Sequence, residues 1–409
     1  MNKNNFVYFL VLFFFLPFYS CRHIEDENHH YVIPFINNSN KAIYIASPGH
    51  QDTTVTDCGA LSQPQLYKAL PKDMNTSALD MNVPWELAFE CRDQLPNDTL
   101  TIFVFDAEKL ENKIGIFSRH MAKYNDVEES TADFATKAAM AAIANAGVDA
   151  DEIGLFIVGT DTPEYISPAT SIIVQGRIQA KESWASTFDV AASCASFTIG
   201  LDNAVRIMAT DSSIKYAVVI GVYNMPAYLR ADDAFGHSIF ADGAGAVVLG
   251  KSDSLSSAYI GSQLLTDGTQ FDFIGVYAGG TKQPVTEDVL RAGQQGLLSL
   301  KPLPGDRNLR LWPNVVRHLL NKYDMAIDEI DHFVFTQINR SVIINVMAEL
   351  GVSLSKTTMV MDRYGYTGSG CVPMAFHHAV MEGRIKRGDT VLFMASGAGL
   401  AVGSNLFKF

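Results

Sequence analysis

Apolar positions along this chain change their rhythm twice. Phe6–Phe18 is an almost unbroken apolar run behind Lys3, closed by a small residue before Cys21. Such a run is short for a membrane span and has the layout of an export signal. Residues 22–112 then mix Asn, Asp, Thr and Pro with two apolar bursts, Tyr31–Ile36 and Ala42–Ala46, and an alternating Leu100–Phe105. That pattern predicts a small, mostly β, surface-type segment.

From Ile114 onward, short apolar strands alternate with helical periodicity. Thr131 precedes an Ala-rich helical stretch, Ala132–Ala146, with Asp133 in its first turn and Gly147 just past its end. The run 154–160 reads as a buried strand, 170–179 as a helix, and 216–222 and 244–250 as two further strands. The second half repeats the rhythm: helix 311–322, strand 332–336, helix 342–350, a strand-like 358–363, helix 373–382 and strand 390–395. The fold class this predicts is α/β, with two halves of comparable rhythm and an internal duplication. The chain divides accordingly into 1–21, 22–112, 113–255 and 256–409.

Composition narrows what such a chain does. At 409 residues, 48% hydrophobic and 18% charged, it buries a large core. A formal charge of −13 and a pI near 5.2, with no Lys/Arg cluster, argue against nucleic acid as a partner. Five cysteines form no C-x-x-C pair, and no His cluster has metal-ligand spacing, so no structural metal is expected. Cys58 and Cys91 either pair, if this part is exported, or remain buried thiols.

One cysteine stands apart. In Ser186–Gly200 an apolar run ending at Val190 leads into small residues, Cys194, and a helical pattern through Leu201, Val205 and Met208. A strand-to-helix turn of this kind sets Cys194 near unpaired N–H groups that favour a thiolate nucleophile. On local pattern alone, a small buried hydrophobe fits as well.

Three separated motifs then agree: Phe188–Phe197 around Cys194, Phe240–Ala246, and the glycine-rich Gly397–Ser404 before the last strand. Together they resemble β-ketoacyl-acyl-carrier-protein synthase III of the thiolase fold. Ile114–Ala122 and the Gly383–Asp389 turn add to the likeness, which covers residues 114–409. It implies a thiolase-type fold of two duplicated halves and a homodimer, or a heterodimer with a related synthase. It also implies acyl-coenzyme A as substrate, with no permanently bound cofactor, and an acyl carrier protein as second partner. Cys194 would accept the acyl group, and the backbone N–H groups of Cys194 and Gly399 would hold the oxyanion. Residues 1–21 resemble a bacterial lipoprotein signal with Cys21 as the lipidated residue, although Phe-Tyr-Ser before it departs from the usual small-residue pattern. The alternative is an uncleaved apolar anchor.

Two departures from the family are specific. Its His-Gln-Ala-Asn motif is Thr336-Gln-Ile-Asn339 here, and its Arg-x-Gly-Asn-Thr motif is Arg363-Tyr-Gly-Tyr-Thr367. Thr336 and Tyr366 thus stand where the malonyl-binding His and Asn belong, and neither hydroxyl replaces an imidazole base. His332 falls four residues before Thr336, about 13 Å along an extended strand. His237 on a loop, and His377 and His378 on a helix, read as surface or packing residues, Cys371 as packing, and Asp242 as the organiser of its glycine turn. The family's first strand, loop and helix are also displaced by the lipoprotein-like segment.

The reading is therefore an acyl-thioester transferase of the ketosynthase III type, with decarboxylative condensation in question. Its alternatives are a non-catalytic partner subunit of another synthase and a surface lipoprotein. The synthase part belongs in the cytoplasm and the leader predicts an exported, membrane-anchored lipoprotein, a conflict that suggests a fusion of two unrelated pieces.

Overall fold

The computed structural model describes residues 113–123, 129–230, 233–251 and 258–409, and before them the backbone of five short strands. Those strands are β1 (Val32–Phe35), β2 (Ile43–Ser47), β3 (Gln65–Ala69), β4 (Ser77–Asp80) and β5 (Phe103–Asp106). They form two small antiparallel sheets, β1-β4 and β3-β2-β5, and both apolar bursts fall on strands. Cys21, Cys58 and Cys91 lie outside the described residues.

The first helix, α1 (Thr131–Ala146), begins one residue earlier than its apolar pattern suggests. Its cap is Ser130, whose side chain accepts from the Asp133 N–H while the Asp133 carboxylate accepts from the Ser130 N–H. Gly147 ends the helix in the left-handed conformation. Small residues, Ala132, Ala135 and Ala139, line its buried face and let it lie close against a sheet.

That sheet runs β7-β6-β8-β9, from β6 (Ile153–Gly159), β7 (Ser186–Val190), β8 (Tyr216–Tyr223) and β9 (Gly243–Gly250). β6 pairs in parallel with both β7 and β8, and β8 pairs antiparallel with β9. Between β6 and β8 come α2 (Thr170–Gln179) and α3 (Ser196–Thr210). Side chains alternate across the sheet: Phe156, Val158, Val218 and Ile220 join the α1 side, and Leu155, Ile157, Ala217 and Val219 face the rest of the molecule. Burial on both faces accounts for the continuous apolar runs in β6 and β8.

The second sheet repeats the plan. After β10 (Ala258–Gln270), a two-stranded sheet pairs β11 (Ile274–Val276) with β12 (Leu297–Ser299). Then β13 (His332–Phe335), β14 (Thr390–Gly397) and β15 (Gly399–Lys408) complete the order β10-β15-β14-β13. β13 and β14 are parallel, and β14 and β15 antiparallel, as β6, β8 and β9 are. Its helices include α4 (Ala234–Ile239) and α5 (Glu287–Arg291) before it, then α6 (Arg307–Lys322), α7 (Arg340–Glu349), α8 (Met361–Tyr364) and α9 (Cys371–Met381). Trp312 of α6 stacks on Phe335 of β13, with ring centroids 5.2 Å apart, while Phe376 of α9 meets Phe393 on the opposite face. α3 and α9 fill the space between the sheets, so the order through the molecule is helix, sheet, helix, sheet, helix.

Two expectations change. Residues 358–363 do not form a strand: Thr357 makes a single parallel bridge to Phe333, and 361–364 wind into α8. The Thr357 hydroxyl donates to the Phe333 carbonyl and the Thr358 hydroxyl bonds His332 Nε2 at 2.9 Å, so side chains replace the ladder there. His237 sits on α4, buried, and not on a loop.

Candidate active site

The parallel strands of both sheets end at the centre of the molecule, and there each half presents a tight turn leading into a buried helix. In the first half, β7 gives way to a 3-10 turn, Ser193–Ala195, and then α3. Ser193 holds a positive φ of 50°, which is costly for a residue with a side chain and is found where a site over-determines the backbone. Cys194 follows it, 7% exposed. The turn is closed by Ser196, whose hydroxyl accepts from Ala192 N–H at 2.9 Å and donates to the Ser193 carbonyl at 2.6 Å.

The opposite wall comes from the second half. Tyr366 lies between α8 and α9 and is pinned by backbone bonds to the Ile239 carbonyl and from the Ala241 N–H. Its ring packs on Phe240 and Tyr223, and its hydroxyl donates to Cys194 Sγ. Gly365 precedes it at a φ of 67°, where an added Cβ would lie 2.9 Å from the Ala241 Cβ. Tyr366, at the family's asparagine position, therefore reaches the nucleophile directly.

Thr336, at the family's histidine position, does not line the cavity. It is buried one layer behind: its Oγ1 accepts from the Ser396 N–H at 3.2 Å, and its own N–H donates to the Met394 carbonyl. Ser396 stands between it and the open space, bonded to Trp312 Nε1 at 3.1 Å and to Asn308.

The glycine-rich turn meets the cysteine turn through Gly397. Gly397 and Ala398 line the cavity and Gly399 does not. A Cβ on Gly397 would fall 2.2 Å from the Ala192 carbonyl and 2.9 Å from the Cys194 N, so only glycine allows the approach; at Gly399 it would meet nothing. Asp242 ties its turn to the 114–123 segment: its carboxylate accepts from the Ala122 N–H at 2.6 Å and its N–H donates to the His120 carbonyl at 2.8 Å.

These parts enclose a cavity of about 290 Å³. Met225, Phe240, Ile274, Val276, Leu297 and Ile338 give it apolar walls, and Cys194, Asp161, Tyr366 and Arg307 give it polar groups. Two of these, Asp161 and Arg307, carry no sequence motif, and only the fold brings them to the thiol. Arg307, at the start of α6, donates to Gln270 Oε1 at 3.2 Å, and burial lowers its pKa.

Burial decides the state of the thiol. It pushes the Cys194 pKa up to about 11, helped by the Asp161 carboxylate and opposed by hydrogen bonds from Tyr366 and Ser193. Desolvation outweighs those donors, so burial favours the thiol, against the thiolate that a helix terminus alone favours. Burial likewise raises Asp161 to about 6, with Ser193 opposing.

The remaining candidates are structural. Cys371 is fully buried at the start of α9, accepts from the Gln337 N–H at 3.4 Å, and burial raises its pKa. His332 is lowered to about 4 by burial and by Arg384, so it is a neutral core residue.

Comparison with known proteins agrees with this architecture. The family description 3-oxoacyl-[acyl-carrier-protein] synthase III matches residues 188–268, and its C-terminal counterpart matches 320–409. The β-ketoacyl-[acyl-carrier-protein] synthase III of Aliarcobacter butzleri is 31% identical over 312 residues, covering 74% of this chain and 89% of its own. That of Paramagnetospirillum magneticum is 32% identical over 309 residues, covering 74% and 90%. Among solved structures, the Aquifex aeolicus 3-oxoacyl-[acyl-carrier-protein] synthase III aligns with a TM-score of 0.63 at 27% identity, over 74% of this chain and 91% of that one. Xanthomonas campestris OleA, at 20% identity and a TM-score of 0.62, shares the fold, over 75% and 89% of the two chains. With the duplicated sheets, the cysteine turn and relatives above 30% identity matched over nearly their whole length, the chain belongs to the 3-oxoacyl-[acyl-carrier-protein] synthase III family.

Proposed function

We propose that the chain takes an acyl group from a coenzyme A thioester onto Cys194 and passes it to a second nucleophile, as a ketosynthase III-type acyltransferase. The observation that carries this reading is Cys194 at an apolar-walled cavity, with Tyr366 donating to its sulfur. Sulfur attacks the thioester carbonyl, and negative charge builds on the carbonyl oxygen. The backbone N–H groups of Cys194 and of the Gly397–Gly399 turn are the donors we assign to that oxygen. The acyl chain occupies the apolar walls. This chemistry uses no permanently bound cofactor and suits a synthase portion working in the cytoplasm, with a carrier-bound or other nucleophile as acceptor and a second ketosynthase chain as dimer partner.

Loss of both malonyl-binding side chains limits the second half-reaction. Thr336 lies behind Ser396, off the cavity, and the Tyr366 hydroxyl donates to the sulfur, so neither side chain stands ready for an incoming malonyl group. We therefore favour transfer to a non-malonyl acceptor over decarboxylative condensation. The same observation supports a second reading, a partner subunit whose activity appears only when a His/Asn-containing synthase is added.

Intact-mass measurement of the full chain after incubation with a panel of acyl-coenzyme A thioesters tests the reading. The expected result is one acyl adduct, mapped to Cys194 and absent from Cys194→Ala. A folded protein that acquires no adduct overturns it, and activity only on mixing selects the partner-subunit reading.

A further inference from the structure

A buried thiol that is to attack a thioester must lose its proton, and none of the described histidines lines the cavity. Asp161 does line it. The residue follows β6, where the Thr160 N–H donates to the Val190 carbonyl at 3.0 Å and ties this segment to the end of β7. The Thr162 N–H donates to the Thr160 hydroxyl, and the Asn224 N–H to the Thr162 hydroxyl, which hold the loop from both sides. Asp161 Oδ1 is buried with no hydrogen-bond partner. Asp161, Ser193 and Cys194 line the same cavity, and Ser193 Oγ lies 3.6 Å from Cys194 Sγ.

We propose that Asp161, acting through the Ser193 hydroxyl, accepts the Cys194 proton during acylation. This rests on the acyl-transfer reading and supplies the base that the family's missing histidine leaves open. As the bond from Sγ to the acyl carbon forms, the thiol proton passes to Ser193 Oγ and the Ser193 proton passes to the carboxylate. When the tetrahedral adduct collapses, the donor's C–S bond breaks and the coenzyme A thiolate leaves with the electron pair. It takes up the proton held by Asp161, so the products are acyl-Cys194, free coenzyme A thiol and the starting carboxylate.

The surroundings suit a base and not a resting thiolate. Cys194, Tyr223 and Tyr228 are the titratable groups that feel the Asp161 charge, and Arg307 faces Cys194 and Tyr366 from α6. With the thiol at about 11, only about one molecule in 10⁴ carries a free thiolate at pH 7. With the carboxyl at about 6, most molecules carry the ionised acceptor. The sign is definite: the ionised carboxylate is active, so acylation rises with pH through about 6 and then levels.

Single-turnover acylation of the full chain, followed by intact mass from pH 5 to 9, tests this, with iodoacetamide alkylation of Cys194 measured in parallel. Asp161→Asn and Ser193→Ala are each expected to slow acylation on the order of 100-fold and to remove the limb near pH 6. Asp161→Glu should retain the limb. Alkylation, which reports the thiolate alone, should become faster in Asp161→Asn because a repelling charge is gone. The proposal is overturned if Asp161→Asn acylates as fast as the parent, or if Ser193→Ala keeps both rate and limb. Absence of any adduct on the parent protein would instead overturn the acyl-transfer reading itself, and the relay with it.

Discussion

The two halves share one plan and use it for different ends. In each, a central strand carries at or near its end a glycine that presses on the other half's helix-leading turn: Gly221 of β8 meets Ser369, and Gly397 of β14 meets Ala192, both at 2.2 Å from where a Cβ would stand. In each, a cysteine opens or precedes the buried helix, Cys194 before α3 and Cys371 at α9. One borders the cavity and the other is sealed against Gln337. The difference lies in what faces each sulfur. Tyr366, Ser193 and Asp161 surround Cys194 with groups that share or take a proton, while Cys371 has a backbone N–H and apolar packing. A repeated scaffold thus sets position, and reactivity follows from the side chains and space that only one half provides. The sheets differ as well: β10 covers the edge of β15, whereas β9 has no further neighbour among the described residues.

The sharpest break of this comparison is Cys194→Ala, which should abolish acyl-adduct formation, while Cys371→Ala should leave it intact. Tryptic mapping of the adduct reads both at once, and acyl transfer to Cys371 in the parent protein would undo the distinction.

Next comes stability at the reactive pole. The folded pKa of Asp161 stands near 6 against an ordinary 3.8, so the folded state binds the proton more tightly. Its penalty is therefore absent below about pH 4, grows as pH rises from about 4 to 6, and amounts to at most about 3 kcal/mol at pH 7. Asp161→Asn should raise Tm at pH 7.5 and leave it unchanged at pH 4. Thermal melts at the two pH values decide this, and equal melting at both would mean that the carboxylate is not strained by burial.

The paired glycines test the pseudo-symmetry. Gly221→Ala and Gly397→Ala should each destabilise by about 1–3 kcal/mol, because the new methyl meets backbone that cannot move aside. Denaturant midpoints should fall in both variants, and a loss confined to one would show that the halves do not lock reciprocally.

Tyr366→Phe removes the donor to Cys194. The thiol pKa should rise by about 1–2 units, and iodoacetamide alkylation at pH 8 should slow roughly tenfold. Unchanged alkylation would detach Tyr366 from the nucleophile. The smallest effect is expected for Cys371→Ala: a stability loss on the order of 1 kcal/mol with no change in the acylation rate, measured by melting and mass together.

Much of the architecture is legible in local pattern. The 170–179 helix is read with its observed bounds, and the strand at 216–222 falls one residue short, because buried apolar runs and amphipathic spacing carry their own boundaries. The long β10 and the β11-β12 pair lack that signal: β10 mixes Gly, Ser, Gln and Thr and is made a strand by pairing with β15. The misread 358–363 shows the same limit, since β-branched Thr357 and Thr358 spend their hydroxyls on the neighbouring strand while the next residues coil. At the site, motif position identifies Cys194 and the substituted Tyr366, but offsets within Gly397-Ala-Gly399 are decided by which glycine meets the cysteine turn.

What the sequence by itself determined is therefore the alternating α/β order, the family, the position of Cys194 in its motif and the residues Thr336 and Tyr366 in theirs, since each is a matter of residue type at a local spacing. Only the tertiary structure decided that Tyr366 bonds the sulfur, that Thr336 lies behind Ser396, that burial raises the pKa of the thiol and that Asp161, Ser193 and Cys194 line one cavity. Those depend on burial and on contacts between residues tens to hundreds of positions apart, and neither is written in any local run of the chain.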